Sequence, residues 1–472
     1  MDKSSHMRHN TTLTRSQTEA LDKMLDWAAS KDTRPFTLKG FAGTGKTFLT
    51  NQFIVEYGKP LVVTAPTHKA VRVIEQATGK KGKTIHSLHG LRPNVNLDDF
   101  DVDNVEFDPL AEPAMQNYSM VIMDECSQIN TGLYTLNNRR SAEFGTKILY
   151  VGDPCQLPPV RERISPTFVN TNCYTLDEIV RQEAGNPLLE ILGMLRNDIT
   201  NGTNTFLSYI YRNHVNINDK GSGFLCLDNA GFGKEMVNYF KSDKFSSDVN
   251  LVRYTAYTND NVGIWNNFIR KNILNTPNEI LTVDDLLTGY KTITDEYNSL
   301  MLINSEDYMI DALDKRLTDY NFASYIVAIK NMNNGEITNV SIVDHTDPSY
   351  RNYMNMVVSL RNDAMTKRGI ERSKAWRRFF EFKEKNLSLI DVDLGDNKVI
   401  PKDIDYGYGL TTHKLQGSTM GHMFVNVANM VFYQNTRSPR TNTKNNPYAV
   451  EFRNKLLYTA ISRSSNLCYM LL

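Results

Sequence analysis

One eight-residue run, G-F-A-G-T-G-K-T at residues 40–47, constrains this chain more than any other feature. It follows a short β-rich stretch, Phe36–Lys39, and opens a helical pattern in which Phe48, Leu49 and Phe53 recur. Glycines grouped this closely are costly inside a helix or a strand, so the run reads as a tight turn joining one to the other. In such a turn bare backbone N–H groups and a helix N-terminus can wrap an anion. Lys46 would reach the β- and γ-oxygens of a nucleotide, and the Thr47 hydroxyl would ligate magnesium. The candidate phosphate-binding residues are therefore Gly40, Ala42, Gly43, Thr44, Gly45, Lys46 and Thr47, and the cofactors implied are ATP and Mg2+.

A phosphate turn of this kind needs a parallel sheet beneath it. Apolar β-rich runs alternate with helical patterns through the first 180 residues, at Phe36–Lys39, Leu61–Thr64, Met120–Met123, Lys147–Val151 and Cys173–Leu176. Strand-helix alternation implies an α/β fold with a parallel sheet. The acidic, proline-bearing segment Leu91–Gln116 interrupts it and reads as a small insertion. A second alternating region starts near Gly223 with Phe224–Leu227 and Leu251–Ala256, and resumes with Gly409–Thr412, Met423–Val427 and Leu467–Leu471. Between its halves lie the β-rich runs Ser299–Ile303, Ser324–Ile329, Ile337–Val343 and Asn355–Leu360, and then a charged helical stretch, Lys367–Lys385. A small β-barrel with a helical projection fits that pattern.

With 472 residues the chain can bury several cores. Its 53 basic residues balance 53 acidic ones, so a polyanion would have to be held by local grooves, not by a global positive field. Five scattered cysteines lack C-x-x-C spacing, which points to free thiols in a reducing cytoplasm. No apolar run approaches the roughly 18 residues of a membrane span, and the start lacks an apolar signal core. A cytoplasmic protein is expected, in the host cytoplasm if the source is viral. His6 and His9 read as a polar terminus.

A second chemical signal lies in V-I-M-D-E, residues 121–125, where an apolar strand delivers two carboxylates to the carboxyl edge of the sheet. Asp124 would orient magnesium, and Glu125 would position and deprotonate an attacking water.

Eight blocks in order carry a resemblance: Gln17, G-F-A-G-T-G-K-T, A-P-T-H-K-A (65–70), T-I-H-S-L (84–88), D-E-C-S (124–127), G-D-P-C-Q-L-P-P-V (152–160), Y-G-L-T-T-H-K-L-Q-G-S-T (408–419) and L-L-Y-T-A-I-S-R-S (456–464). Together they resemble superfamily-one helicases, in particular the RecD-like 5′-to-3′ class and its compact Dda-type members from bacteriophages. The resemblance implies two RecA-like motor domains with ATP in the cleft between them. The first would span residues 1–182, interrupted by a pin-like β-hairpin insertion at 88–117. The second would span 183–290 and 396–472, and residues 291–395 would form an inserted SH3-like barrel with a helical projection. Gln17 would read adenine through its amide. Gln156 would sense the γ-phosphate, Asp153 would support the magnesium site, and Arg181 and Arg463 are the two candidate arginine fingers. Pro66, Thr67, His68, Thr84, His86, Thr411, Thr412 and His413 would contact single-stranded nucleic acid, with Lys414 and Gln416 coupling grip to the nucleotide. For any one of these threonines and histidines, capping a helix end is the plainer alternative. Phe100 would stack on a terminal base pair at the pin tip, although Asp98, Asp99, Asp101 and Asp103 around it repel phosphate. K-A-W-R-R-F-F (374–380) suits either a nucleic-acid strand or a buried helix with a basic face.

The function implied is an ATP-dependent DNA helicase that moves 5′-to-3′ on single-stranded DNA and opens forked duplex DNA in phage replication or recombination. A monomer is expected, with single-stranded-DNA-binding or replisome proteins as further partners and no membrane. A nucleotide-switched clamp, a helicase subunit of a nuclease complex and an RNA helicase remain alternatives.

Overall fold

The computed structural model describes residues 13–94, 106–109, 112–170, 172–178, 185–274, 279–294, 300–395, 398–436 and 447–472. His6, His9, Phe100 and Arg181 lie outside the described residues. The chain divides into two compact units, one of Met1–Pro66, Ala70–His89 and Pro113–Glu190, the other of Thr67–Lys69, Gly90–Glu112 and Ile191–Leu472.

Helix α1 (Arg15–Ala29) opens on a capping box in which Thr14 Oγ1 accepts from the Gln17 backbone N–H and Gln17 Oε1 accepts from that of Thr14. Strand β1 (Phe36–Gly40), helix α2 (Lys46–Tyr57), strand β2 (Leu61–Ala65), helix α3 (His68–Thr78), strand β3 (Gly82–Thr84) and helix α4 (Ile85–Leu88) follow. An antiparallel hairpin comes next, β4 (Leu91–Asn94) with β5 (Glu106–Pro109). The chain continues through β6 (Met120–Met123), α5 (Thr131–Phe144), β7 (Lys147–Gly152) and β8 (Cys173–Leu176). A six-stranded sheet runs in the order β3-β2-β6-β7-β1-β8, parallel at every pairing. Its central strands β2, β6 and β7 are mostly apolar and buried because both faces are covered there. Successive residues point to opposite faces, so Val63, Ile122 and Leu149 pack with Trp27, Leu49 and Phe53 of α1 and α2. Val62, Val121 and Ile148 pack on the other side with Ile85 and Leu88 of α4.

Beyond α6 (Pro187–Asn201) and α7 (Thr205–Ile210), a second sheet begins with β9 (Val215–Ile217) and β10 (Gly223–Leu227). Helices α8 (Asn229–Phe240) and α9 (Asp243–Ser247) lead to β11 (Val252–Ala256) and α10 (Asn259–Ile273). The inserted region carries β12 (Leu286–Gly289), β13 (Ile293–Thr294), β14 (Leu300–Leu302), β15 (Asp307–Leu317), β16 (Ala323–Asn331) and β17 (Ile337–Val343). Helices α11 (Tyr350–Thr366) and α12 (Gly369–Lys385) and strands β18 (Val392–Asp393), β19 (Val399–Ile400) and β20 (Ile404–Tyr406) complete it. The second sheet resumes in β21 (Gly409–Thr411) and β22 (Met420–Asn426), and after α13 (Val427–Thr436) and α14 (Pro447–Ile461) ends in β23 (Ser464–Leu471). Its order is β21-β11-β22-β23-β10-β9, parallel except at the β9 edge. The insertion forms a five-stranded antiparallel sheet, β17-β16-β15-β12-β20.

Two sequence expectations change here. Asn355–Leu360 is not a strand but the middle of α11, because Tyr353, Val357 and Ala364 form a stripe packed on Ala375, Phe379 and Phe382 of α12. The aromatics of the 374–380 run lie in that same core, with Trp376 and Phe379 buried and Phe380 half-buried, which fits the buried helix with a basic face; Lys374, Arg377 and Arg378 are the exposed members.

Two buried ion pairs fasten the inserted sheet to the second parallel sheet. Arg253 of β11 donates to Asp307 of β15 at 2.9 Å, and Thr288 Oγ1 donates to the other carboxylate oxygen at 2.6 Å. Arg270 of α10 meets both oxygens of Asp285, at 2.6 Å in its shortest contact, and Tyr408 donates to the same group at 3.0 Å. Removing one partner of such a pair strands a buried charge. Asp285→Asn is therefore expected to destabilise this unit by about 3–5 kcal/mol in urea unfolding. A loss under about 1 kcal/mol, the range of an exposed pair, would refute that role. Burial pushes the Asp307 carboxyl up, but Arg253, Lys69 at 3.1 Å and Thr288 outweigh it and hold it at about 2. Its folded value is lower than its unfolded one, so its contribution is complete above the ordinary carboxylate range and is lost as pH falls toward 2. Acid titration of Asp307→Asn should lack that component.

Candidate nucleotide site and nucleic-acid track

Strands β6, β7 and β1 are hydrogen-bonded neighbours, with Met123 level with Tyr150 and Lys39 level with Gly152. Three carboxyl ends therefore meet at one edge of the sheet. The turn after β1 holds Gly43 and Gly45 in the left-handed region (φ 79° and 74°), where a side chain is strained. Helix α2 starts at Gly45 with no side-chain cap, leaving its first N–H groups available to an anion. A Cβ at Gly40 would stand 2.7 Å from Lys46 Cγ and 2.8 Å from Thr44 Oγ1, so only glycine fits there. Lys46 Nζ donates to the carbonyls of Gly40 and Phe41 at 2.9 and 3.0 Å, which holds the ammonium over the turn. Thr44 Oγ1 donates to Phe41 O at 2.9 Å.

Gln17 is buried, and its Nε2 donates to the Thr44 carbonyl at 3.1 Å. The amide thus ties α1 to the phosphate turn while its oxygen caps the helix.

Directly after β6, Asp124 donates its N–H to Thr64 O and accepts from the Glu125 N–H at 2.8 Å. Glu125 itself sits at φ 51°, a left-handed conformation that costs a non-glycine residue about 1–3 kcal/mol and tends to persist at functional sites. After β7, Asp153 is fully buried and accepts from Cys155 N at 2.9 Å, and its carbonyl accepts from Gln156 N. Gln156 is buried with its Oε1 unpartnered. An orphaned amide oxygen beside a glycine cradle and two carboxylates fits a bound nucleotide with its metal ion. Thr47 and Asp124 are the residues that would hold the metal.

Residues 12–219 match the family model described as an AAA domain. The chain is 30% identical over 257 residues to the ATP-dependent DNA helicase dda of Enterobacteria phage T4, covering 52% of this chain and 54% of that protein. Over about half its length the chain is thus similar to a DNA helicase. It also matches an uncharacterised protein of Acanthamoeba polyphaga mimivirus, 26% identical across 94% of this chain and 96% of that one. Among solved structures, the Pif1 helicase of Candida albicans aligns over 98% of this chain and 94% of its own at 16% identity, with a TM-score of 0.47. The chain thus spans nearly all of the mimivirus protein but only about half the length of the T4 helicase.

The residues expected along a nucleic-acid track differ in what they can do. Pro66, Thr67 and His68 are half-buried. Thr84 is buried and caps α4, its hydroxyl accepting from Ser87 N at 3.2 Å. His86 is kept neutral by burial, which lowers its pKa. Thr411 and His413 are half-buried, and burial likewise lowers the His413 pKa. Thr412 is fully buried with its hydroxyl 3.1 Å from that of Thr255, so it braces the strand end from within. Lys414 Nζ donates to Asn304 Oδ1 at 2.7 Å and lies 3.9 Å over the Tyr290 ring, and burial pulls it down to about 7. Arg463 is buried and donates to Ser418 O at 3.2 Å. Tyr290 and Asn304 were not singled out in the sequence, since they lie in the insertion far from any motif. Among the described residues no cluster of three or more His, Cys, Asp and Glu side chains could hold a metal. No helix among them is long and apolar enough to cross a membrane.

Gly40→Ala offers a direct check on the phosphate turn. Its methyl group would displace Lys46 and Thr44, and a shift near 1 Å in a reacting group costs about 100-fold in rate. ATP turnover should fall by that order with the fold intact by circular dichroism; wild-type turnover would disprove the cradle.

Proposed function

We propose that the chain is an ATP-driven DNA helicase that travels on single-stranded DNA and opens forked duplex. The observation that carries the reading is the single sheet edge where Lys46, Asp124, Glu125 and Gln156 follow three adjacent strands. The name of the T4 relative, an ATP-dependent DNA helicase, supports it.

When bound, Mg2+ would supply charge neutralisation at the transferring phosphoryl group. Thr47 and Asp124 would hold it. Lys46 binds the β- and γ-oxygens, released from its carbonyl partners by the incoming phosphates. Glu125 takes the proton of the attacking water at a carboxylate oxygen, and its fixed backbone aims that oxygen. Gln156 accepts from the attacking water at its free amide oxygen, which makes hydrolysis visible to the turn after β7. Arg463 is the proposed arginine finger, with Arg181 as the alternative. Pro66, Thr67, His68, His86, Thr411 and His413 form the track, while Thr84 and Thr412 shape it from beneath. Weak base readout follows, because such hydroxyl and imidazole groups meet the backbone. We further propose the domain limits 1–182, 183–290 with 396–472, and 291–395, a pin within 88–117 bearing Phe100, 5′-to-3′ movement, a monomeric state and a role in phage-type replication or recombination. A sensor glutamine with an unpartnered oxygen favours turnover over a static clamp.

Lys46→Ala and Glu125→Gln are each expected to lower single-strand-stimulated ATP hydrolysis by about 100-fold or more. The glutamine variant should still bind ATP, since the lost role lies in the transition state. Near-normal turnover in either would sink the assignment. Strand displacement should occur on 5′-overhang substrates, and unwinding confined to 3′ overhangs would reverse the polarity.

A further inference from the structure

A buried polar chain runs beneath the first sheet and has no part in the chemistry above. His89, the residue after α4, is fully buried, and its Nε2 lies 2.6 Å from Asn137 Oδ1 on α5. Asn137 is also fully buried and donates through Nδ2 to Tyr150 OH at 3.4 Å and to Met123 Sδ at 3.3 Å. With the amide oxygen accepting, the ring proton sits on Nε2, and His89 Nδ1 is left buried without a partner. Burial outweighs the Asn137 hydrogen bond and draws the ring down to about 4, so it is neutral at ordinary pH.

Ile85, Leu88, Met123, Ile129 and Ile148 form one apolar cluster with Tyr150, and Arg140 and His86 are the charged or titratable groups near the ring. A leucine at 89 alone would orphan the Asn137 oxygen, whereas leucines at both positions would bury fewer polar atoms, so hydrophobic packing does not explain the pair. Connectivity does. His89 ends the segment that carries Thr84 and His86; Met123 immediately precedes Asp124 and Glu125; Tyr150 lies two residues before Gly152. A polar chain with fixed partners has few discrete arrangements, whereas apolar contacts slide. Glu125, at φ 51°, holds a conformation that persists only where its surroundings over-determine it, so its alignment depends on the neighbours that fix Met123.

We propose that His89 and Asn137 are positioning residues that couple occupation of the track at α4 to the alignment of Asp124 and Glu125. This rests on the helicase reading given above. In that role they touch neither DNA nor nucleotide, and they act through Met123 and Tyr150.

The test uses the full-length chain with oligo-dT as single strand. His89→Leu and Asn137→Leu should each lower the ratio of DNA-stimulated to basal kcat by about 3- to 30-fold, the span of measured couplings between sites. Basal kcat, the KM for ATP and the Kd for the oligonucleotide should stay within about threefold of wild type, a spread below a typical coupling. The double variant should lose no more than the worse single one, because the two act as a unit. His89→Gln, which returns an N–H donor at the reach of Nε2, should restore most of the ratio and folds even if the leucine variant does not. Equal loss of basal and stimulated rates, or a parallel rise in Kd, reduces the pair to a structural or binding role and overturns the proposal. So does an unchanged ratio in His89→Leu. A wild-type chain without single-strand-stimulated turnover fails the helicase reading itself, and is thereby distinguished from these outcomes.

Discussion

The carboxyl edge shared by β6, β7 and β1 is the constraint on which the first unit depends. Parallel strands can only be joined by crossovers that return the chain to the opposite edge, so each strand ends where its neighbours end. Once β7 pairs with β1 on one side and β6 on the other, the loops after them are neighbours by construction. Opposite charges are thereby brought close, with one lysine facing three carboxylates: Lys46 after β1, Asp124 and Glu125 after β6, and Asp153 after β7. Lys46 spends its donors on two carbonyls of its own turn, which keeps the ammonium hydrogen-bonded without committing it to a carboxylate. A polyanion with a divalent cation would match the remaining charge pattern better than either alone.

The second unit solves a different problem, that of holding a large insertion in one register. Arg253 with Asp307 and Arg270 with Asp285 are fully or almost fully buried, and each carboxylate takes further hydroxyl donors. Such pairs roughly break even against apolar packing in free energy, but they tolerate only one register. A third centre, Asp403, accepts from Lys291 at 2.9 Å and from Lys383 at 3.4 Å, and Lys383 also donates to Tyr353. The insertion is thus fastened to β11 and α10, and Asp403 ties its own strands to α11 and α12.

How much of this was legible depended on burial. Strands covered on both faces, such as Met120–Met123 and Lys147–Val151, read directly as apolar runs, and the phosphate turn announced itself through its glycines. The long strand Asp307–Leu317 was invisible because most of it past Ile310 faces solvent and carries Asp311, Asp314, Lys315 and Arg316. Asn355–Leu360 misled for the opposite reason: its β-branched valines look extended locally, and only the partner stripe on α12 makes them helical. In the site, spacing marked Lys46, Asp124, Glu125 and Gln156, yet it gave no means of separating Thr84 and Thr412, whose hydroxyls are spent inside the protein, from their half-buried neighbours. His89 carried no signal beyond its place three residues after His86, since a buried partner such as Asn137 lies 48 positions away in sequence.

The residue between the second carboxylate and the serine of D-E-C-S shows how tightly the two turns are matched. Cys126 is fully buried, and burial raises its thiol far above the ordinary range, so it is inert as a nucleophile and acts through its size. A Cβ at Gly152 would stand 2.7 Å from Cys126 Sγ and 3.1 Å from its backbone nitrogen. The turn after β7 therefore reaches its position only because that residue has no side chain and the one facing it is small. Glu125 is joined directly to Cys126, so any enlargement at Gly152 that pushed the cysteine away would rotate the proposed catalytic carboxylate as well. The glycine at the head of G-D-P-C-Q thus serves the turn that presents Gln156 and, through contact, the one that presents Glu125; the two groups that would read the same phosphate are set by a single close approach.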